Sequence, residues 1–346
     1  MSEGVPASPL PYTPAEVASS LGDRWSETLL AAYRWMVVGR AFDARMQALQ
    51  RQGRIGFYGA ATGQEAVNVA AGLVSRPEDW VFPGLREQLV SVVRGFSLTD
   101  YAHTIFGDVL DPALGRQMPC HPTARGVHYV SMSSVIGTQI SQAVGLAYAI
   151  RQRQDAGVAL AFFGDGATSS NDFHAGLNFA GVFRLPVVFV CANNQWAISL
   201  PVTRQTASTS LAAKAAEYGF DGRRLDGTDF IAVYRELSKS LERARTGQGP
   251  TLLEMLTFRM TPHSSSDDPA RYQPADWPRR AGQLDPVARL EGWMVEHDVL
   301  REELRMRIRE QAEEAARAAV RAAEETPPPG PETLTEDVYA SVRSRG

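Results

Sequence analysis

The second half of the chain alternates between apolar runs typical of buried strands and amphipathic runs typical of helices. Beginning near Val135, the pattern predicts a helix over residues 137–152, a strand over 158–163, a helix over 171–183 and a strand over 187–191. A strand, a crossover helix and a second strand form a unit in which both strands point the same way. The alternation therefore predicts an α/β fold in which a mostly parallel sheet is flanked by helices.

The rest of the chain extends this arrangement on both sides. Residues 1–24 carry four prolines and little periodicity, which predicts an N-terminal extended arm. An α/β domain is expected over residues 25–280, and a C-terminal helical segment with a docking tail over 281–346. Further helices are predicted over residues 25–50, from about Gln64, over 208–218, over 230–245 and over 301–325, and a further strand over 251–259.

Composition excludes several classes of protein. The formal net charge of −4 argues against a partner that is a nucleic acid. The two cysteines, Cys120 and Cys191, are far apart in the sequence, which indicates neither a disulfide framework nor a zinc site. The N-terminus lacks the pattern of a signal peptide, and no apolar run of about 18 residues suggests a membrane span. We therefore expect a cytoplasmic protein with no membrane association.

Polar clusters follow the two strands of the βαβ unit. Gly164-Asp165-Gly166 comes after the first strand, and Asn193-Asn194 comes after the second. The carboxyl ends of parallel strands lie at one edge of the sheet, where α/β proteins bind ligands. Carboxylate and amide oxygens suit Mg²⁺ or Ca²⁺, glycines let an anion approach the backbone, and the helix that follows presents free N–H groups to phosphate. The cluster therefore predicts a site for a metal ion and a diphosphate.

Other interpretations of this cluster remain open. An Asp between glycines is ordinary turn chemistry, and the same three residues occur in some metal-dependent phosphatases. Glycine-rich turns also follow strands in NAD-binding folds, although no GxGxxG pattern is present here. A phosphatase would need further Asp or His ligands at strand ends, and a non-catalytic scaffold could keep the fold alone. The combination of GDG, a helix and then NN is more specific than GDG by itself.

Several motifs together resemble one known family. The spacing of GDG and NN resembles the thiamine-diphosphate signature, and residues 161–199 are similar to the alpha subunit of the decarboxylating component of 2-oxo acid dehydrogenase complexes. The resemblance covers roughly residues 25–340, and the branched-chain type is favoured over the pyruvate type. Further matching motifs are TGQEA (62–66), FPGLRE (82–87), GRQMPCH (115–121), SSVIGTQISQAVGLAYA (133–149) and HSSSDDPARY (263–272).

The resemblance implies roles for individual residues around thiamine diphosphate and Mg²⁺. Asp165 and Asn194 would bind the metal through their side chains, and Trp196 would bind it through its backbone carbonyl. Residues 25–280 would be the diphosphate half of a thiamine-diphosphate-binding fold. The positions that match cofactor contacts are Leu85, Arg86, Ser134, Ile136, Gly164, Asp165, Gly166, Ala167, Asn194, Trp196, Ala197, Ile198 and His263.

Two histidines match catalytic positions of the family. The resemblance assigns His263 to the diphosphate and to acyl transfer onto lipoamide, and it places His121 near the substrate carboxylate. Without the resemblance, each would more often be a hydrogen-bonded surface histidine. The substrate pocket is expected to include Phe57, Tyr58, His121 and Ser134, although core packing is an equal alternative for the two aromatic residues.

The sequence also departs from the family at informative positions. Ala192 stands where many relatives carry Arg or another polar residue before the NN pair, and Leu85 replaces a common aromatic residue. Ser264 matches a serine that is phosphorylated in mitochondrial relatives. Some members hold K⁺ at the positions of Ser133, Thr138 and Gln139, which makes K⁺ a candidate ligand here.

The resemblance further implies the reaction and the partners. Thiamine catalysis needs a carboxylate against the aminopyrimidine ring, and in two-chain members the beta subunit provides it. We therefore expect an α₂β₂ assembly, a lipoyl-bearing acyltransferase as acceptor and a small 2-oxo acid as substrate. The favoured substrate is 3-methyl-2-oxobutanoate, with pyruvate as the alternative. The N-terminal arm and the segment TLTEDVYA near the C-terminus are expected docking pieces.

Overall fold

A parallel sheet of five strands organises the fold. The computed structural model describes residues 8–264, 266–336 and 338, so residues 1–7 of the arm and Asp337, Tyr339 and Ala340 of the expected C-terminal docking piece lie outside it. The sheet has the order β1-β2-β3-β7-β6, and β4 and β5 form a short antiparallel pair beside it. The strands are β1 (Trp80–Phe82), β2 (Ala159–Gly164), β3 (Val187–Asn193), β4 (Trp196–Ala197), β5 (Leu200–Pro201), β6 (Asp221–Asp226) and β7 (Thr251–Leu256).

Helices cover both faces of the sheet. Side chains alternate between the two faces along β2, so that Leu160 and Phe162 join one hydrophobic core and Phe163 joins the other. This double burial explains the continuous apolar runs of the central strands and confirms the predicted α/β class. The helices are α1 (Pro14–Leu21), α2 (Trp25–Arg51), α3 (Glu65–Val74), α4 (Gln88–Val93), α5 (Leu98–Phe106), α6 (Thr138–Arg153), α7 (Asn171–Val182), α8 (Phe230–Arg245), α9 (Trp277–Gln283), α10 (Pro286–Glu296) and α11 (Glu302–Glu325).

Two helices that pack against the sheet begin at clear sequence signals. The Ser170 hydroxyl accepts a hydrogen bond from the backbone N–H of Phe173 and caps α7, and the Asp229 carboxylate caps α8 in the same way. The predicted helices over 25–50, 137–152, 171–183, 230–245 and 301–325 are all confirmed within two residues.

Some predicted elements are wrong. The extended arm contains α1, because Pro14 occupies its first turn and Thr13 forms a capping box with Glu16. The helix predicted over 208–218 is a 3₁₀ turn over Ala212–Tyr218, and the strand predicted over 251–259 ends at Leu256.

The C-terminal helices pack on the same core as the N-terminal ones. Trp293 of α10 and Val320 of α11 belong to the hydrophobic core that contains Leu29 and Met36 of α2. Helix α9 runs across the boundary that was predicted between residues 280 and 281, and the division of the chain into domains stays a prediction. None of the described helices is long and apolar enough to cross a membrane.

Candidate active site

A cavity of about 490 Å³ lies at the carboxyl ends of β2 and β3. Its wall collects residues that are distant in the sequence, because the parallel strands deliver their following loops to one edge. The predicted site residues that line it are Phe57, Leu85, Arg86, His121, Ser134, Ile136, Gly164, Asp165, Gly166, Ala167, Asn194, Trp196, Ala197, Ile198 and His263.

Asp165 is a buried carboxylate in this wall. It begins a 3₁₀ turn directly after β2, and its residue is only 1% exposed. Its Oδ2 accepts a hydrogen bond from Gln205 Nε2 at 2.7 Å, and no Lys or Arg among the described residues lies within 4 Å of it. Burial raises the pKa of this carboxyl, and the bond from Gln205 opposes that shift. The ionised form of Asp165 is therefore costly without a cation.

The two asparagines after β3 have different environments. Asn193 is fixed in the fold, because its Nδ2 donates to Glu254 Oε1 at 2.8 Å and its Oδ1 accepts from the backbone of Gln195. Asn194 lines the cavity, and its Oδ1 accepts the backbone N–H of Trp196 at 3.2 Å. A carbonyl oxygen has two lone pairs, so Asn194 keeps an acceptor position for another group.

Arg259 holds the loop that follows Asn194. Its guanidinium donates to the carbonyl of Ile198 at 2.9 Å and, over a longer 3.4 Å, to the carbonyl of Trp196. The same guanidinium donates to the Tyr272 hydroxyl at 2.6 Å, and that hydroxyl donates to Asp267. Sequence reasoning missed Arg259, because it lies in a run that was predicted to continue β7.

Arg86 and His263 meet on another wall of the cavity. Arg86 donates to the carbonyl of Ala60 through Nη1 and to the carbonyl of His263 through Nη2 at 2.6 Å. Arg86 Nη2 also lies 3.3 Å from His263 Nδ1. A guanidinium can only donate, so Nδ1 is an acceptor and the neutral ring carries its proton on Nε2.

Burial controls the charge of both residues. It lowers the pKa of Arg86 to about 10, which leaves the guanidinium charged at neutral pH. Burial, followed by the charges of Arg86 and Arg259, lowers the pKa of His263 to about 4. His263 is therefore a neutral hydrogen-bonding group at pH 7.

This lowered pKa predicts a pH dependence of folding. The folded state binds a proton on His263 less readily than the unfolded chain, so its contribution to stability is present above about pH 6.5 and is lost as the pH falls towards about 4. We expect the stability difference between the native protein and His263→Gln, measured by urea unfolding, to shrink or reverse between pH 7 and pH 4.5. The exposed His174→Gln variant is the control, and an unchanged difference for His263→Gln across this range would contradict the assignment.

His121 and Ser134 form a hydrogen-bonded pair in the cavity wall. His121 Nδ1 donates to the carbonyl of Pro119 at 2.9 Å, because a carbonyl can only accept. The neutral ring therefore accepts the Ser134 hydroxyl at Nε2. Phe57 lies beside His121, with 6.5 Å between the ring centroids.

The structure does not bring Tyr58 to this cavity. Tyr58 is buried, and its hydroxyl donates to Oδ1 of Asp43 in α2 at 2.7 Å. The Thr62 hydroxyl donates to the other oxygen of Asp43, so this carboxylate fixes the segment that carries Phe57. Of the two alternatives given for Tyr58, the structure matches core packing, because its hydroxyl is hydrogen-bonded to Asp43 inside the fold.

Eight further residues line the cavity that the sequence did not assign to the cofactor or the substrate. Ser133 and Gln139, from the expected K⁺ loop, both line the cavity, but Gln139 Nε2 donates to the carbonyl of Phe162 at 2.8 Å. K⁺ binding stays a prediction. Four additional lining residues belong to the motifs TGQEA, FPGLRE and GRQMPCH but were given no role there: Gln64, Gly84, Glu87 and Met118. Met132 and Ala192 also line the cavity and lie outside these motifs.

Known proteins are similar to this chain over most of its length. The sequence profile of the family described as "Dehydrogenase E1 component" matches residues 33–332. The chain is 40% identical over 275 residues to "2-oxoisovalerate dehydrogenase subunit alpha 1, mitochondrial" of Arabidopsis thaliana, covering 78% of this chain and 58% of that protein. The chain thus spans less than two thirds of that relative.

Two bacterial relatives match more of their own length. The identity is 42% over 278 residues with "3-methyl-2-oxobutanoate dehydrogenase subunit alpha" of Mycobacterium tuberculosis, covering 80% of this chain and 73% of the relative. It is 36% over 310 residues with "2-oxoisovalerate dehydrogenase subunit alpha" of Bacillus subtilis, covering 89% and 94%. The chain therefore belongs to the dehydrogenase E1 component family.

Proposed function

We propose that this chain is the alpha subunit of a branched-chain 2-oxo acid dehydrogenase. In this proposal it binds Mg²⁺ and thiamine diphosphate, takes part in the decarboxylation of 3-methyl-2-oxobutanoate and related acids, and passes the acyl group to the lipoyl group of an acyltransferase. The observation that carries the proposal is the cavity in which Asp165, Asn194, Arg86 and His263 meet. The names of the relatives support the branched substrate.

The chemistry of the donors fits a magnesium ion. Asp165 supplies a buried carboxylate that lacks a cationic partner within 4 Å in the described part of the chain, and a divalent ion would compensate it. Asn194 would add a neutral oxygen, and Trp196 a backbone carbonyl. No group of three His, Cys, Asp or Glu side chains that could hold a metal is found among the described residues. This fits Mg²⁺, which is usually bound by one or two carboxylates together with phosphate oxygens.

The same observation weakens the alternative of a metal-dependent phosphatase. A phosphatase of this kind needs further Asp or His ligands at strand ends, and residues 8–264 and 266–336 provide no such group. A non-catalytic scaffold is also disfavoured, because the buried, unpaired Asp165 would only destabilise a protein that binds no cation.

The diphosphate would be held by cationic and glycine-rich segments. Arg86 is charged and preoriented by the carbonyls of Ala60 and His263. Gly164 ends β2 with open space where a side chain would stand. Ala192 contributes no polar contact, so Arg86 and the Nε2–H of His263 would supply the donors in this region.

The rest of the cavity suits the substrate. Thiamine diphosphate, when bound, supplies the carbanion chemistry that makes loss of CO₂ possible. Rotation of the Ser134 hydroxyl away from His121 Nε2 would let it donate to a substrate carboxylate, and the wall beside this pair is apolar. Phe57 and Leu85 would exclude water and accept an aliphatic side chain, with Met118 and Met132 as adaptable neighbours.

A partner chain would complete the site. Apolar side chains are exposed around the cavity mouth, including Met118 at 52%, Ile136 at 64% and Ile198 at 54%. Exposed apolar rims around a pocket are typical of interaction surfaces. We propose that the beta subunit covers this rim in an α₂β₂ assembly and supplies the carboxylate for the aminopyrimidine ring. The cytoplasmic location stays a prediction.

A pair of glycine variants tests the diphosphate position. A Cβ on Gly164 would meet no heavy atom within 4 Å, so Gly164→Ala should fold normally but lose about tenfold in cofactor affinity through its methyl group in the cavity. A Cβ on Gly166 would lie 2.8 Å from that of Ala197, so Gly166→Ala should lose about 1–3 kcal/mol of stability. Calorimetry measures the cofactor affinity of each variant, and urea unfolding measures its stability. An unchanged cofactor affinity in Gly164→Ala would show that the diphosphate does not lie beside Gly164.

The proposed activity is tested with the assembled enzyme. The chain is purified with its beta subunit, and CO₂ release from 3-methyl-2-oxobutanoate and from pyruvate is followed with an artificial electron acceptor, Mg²⁺ and thiamine diphosphate. A higher kcat/KM for the branched acid, lost in Asp165→Ala, is expected. A preference for pyruvate would contradict the proposed substrate. Absence of cofactor-dependent turnover of any 2-oxo acid would contradict the proposed enzymatic activity.

A further inference from the structure

One carboxyl group in the cavity wall has no part in the proposed reaction. Glu87 belongs to the turn that carries Leu85 and Arg86, and its residue is only 3% exposed. Its Oε2 accepts the backbone N–H of Arg86 at 3.2 Å. A Cβ on Gly84 would lie 2.9 Å from the same oxygen, so the carboxyl folds back closely over its own turn.

Glu87 lacks a charged partner despite its neighbour. The Arg86 guanidinium is directed to the carbonyls of Ala60 and His263, and no Lys, Arg or His of the described chain forms an ion pair within 4 Å of Glu87. Burial raises the pKa of Glu87 to about 7, against the opposing effects of the Arg86 N–H and charge. The cavity is therefore lined by a carboxyl that is close to half ionised at pH 7.

The groups that face Glu87 strengthen the effect of a bound anion. Arg86 is the cation on its own turn, while Cys191 on β3 and Tyr129 are buried neutral groups that interact with it. Asp165 and His263 line the same cavity. A bound diphosphate would offset the positive charge of Arg86, which otherwise stabilises the ionised form of Glu87. It would also add negative charge beside Glu87, and both changes favour the neutral carboxyl.

We propose that Glu87 takes up a proton when a diphosphate-bearing ligand fills this cavity, so that cofactor binding is coupled to protonation of this carboxyl. The inference rests on the proposed function for the identity of the ligand. The proton comes from solvent, and no covalent bond to the ligand forms. The neutral carboxyl then avoids repulsion of the diphosphate and keeps its hydrogen bond from the turn that carries Arg86.

The coupling has a measurable size. A group with a pKa of about 7 is about half protonated at pH 7, so full protonation in the complex requires uptake of roughly 0.5 proton per site. Above pH 7 this group should make affinity fall with rising pH, by up to about tenfold per pH unit. Glu87→Gln keeps the shape and an acceptor oxygen but cannot titrate, so that part of the pH dependence should vanish.

Calorimetry on the assembled α and β chains tests the proposal. Binding of thiamine diphosphate with Mg²⁺ is measured at pH 7 in two buffers that differ in ionisation enthalpy, and the difference in heat gives the protons exchanged. The native complex should take up roughly 0.5 proton more than Glu87→Gln, because protons from the ligand cancel in this difference. Asp229→Asn removes a buried carboxyl outside the cavity and should match the native count, because asparagine can keep the cap of α8. The His263→Gln variant measures how many of the exchanged protons belong to that histidine.

The outcomes separate this inference from the proposed function. Equal proton counts for the native complex and Glu87→Gln would overturn the role of Glu87 and leave the cofactor site intact, whereas no cofactor binding by the native complex would overturn both. If Glu87→Gln does not assemble, infrared difference spectra of the native complex with ¹³C-labelled glutamate decide instead. A protonated-carboxyl band that grows on cofactor binding supports uptake by a glutamate, and its absence contradicts the proposal.

Discussion

Replacement of Asp165 by Asn is expected to lower cofactor-dependent decarboxylation on the order of 10³-fold. The variant keeps the shape of the side chain but removes the charged protein ligand proposed for Mg²⁺. Substitutions that act only behind a metal ligand typically cost about 10–100-fold, so loss of the ligand itself should exceed that range. The measurement is kcat/KM of the assembled enzyme, together with Mg²⁺-dependent binding of thiamine diphosphate.

The same variant should fold as well as the native chain or better. Asp165 is buried, and its nearest side-chain partner is the neutral amide of Gln205 at 2.7 Å. Removing an uncompensated buried charge relieves the desolvation that raises its pKa. Without cofactor, Tm should therefore be equal to or higher than that of the native chain. Asp155→Asn, an exposed position that precedes the same strand, is the matched control and should change neither property.

Two results would contradict this account of Asp165. The first is an Asp165→Asn variant that keeps Mg²⁺-dependent activity within a few fold of the native enzyme. The second is loss of activity that is explained by a comparable loss of folded protein, since the side chain would then serve the fold.

Replacement of Arg86 by Lys is expected to weaken cofactor binding by about 10–100-fold. Lysine keeps the positive charge but lacks the planar fork that lets Arg86 reach the carbonyls of Ala60 and His263 while facing a diphosphate. The loss corresponds to about 1.4–2.8 kcal/mol and is measured by calorimetry on the assembled enzyme.

Arg94 offers a matched control for this change. It lies outside the cavity and donates to the carbonyls of Val127 and Asp79. Arg94→Lys should therefore reduce stability without altering cofactor affinity. Native affinity in Arg86→Lys, or an equal loss in both variants, would show that Arg86 has no special position at the diphosphate.

Local sequence patterns predicted the elements that build the site. The apolar runs of β2 and β3 and the helix between them follow from residues close in sequence, and the parallel arrangement then brings Asp165 and Asn194 to one edge. Edge strand β6 was missed because DGRRLD is polar and mostly exposed, so it carries no hydrophobic pattern. The 3₁₀ turn at residues 212–218 was taken for a helix because its alanines favour helical conformations.

Contacts between distant segments could not be predicted in this way. Tyr58 was assigned to the cavity beside Phe57, but the direction of its side chain depends on its hydrogen bond to Asp43 in α2. Arg259 organises the loop at Trp196 although 63 residues separate the two. The importance of Glu87 depends on its burial and on the direction of the Arg86 side chain, and neither is visible in the motif FPGLRE.

The central claim is that the cavity after β2 and β3 binds a metal ion and thiamine diphosphate. Its most direct test is a crystal structure of the assembled α and β chains grown with thiamine diphosphate and with Mn²⁺ in place of Mg²⁺. We predict an anomalous peak bonded to Asp165, Asn194 and the carbonyl of Trp196, with the diphosphate between that peak and Arg86. A cofactor bound with its metal at another place in the assembly would contradict the account.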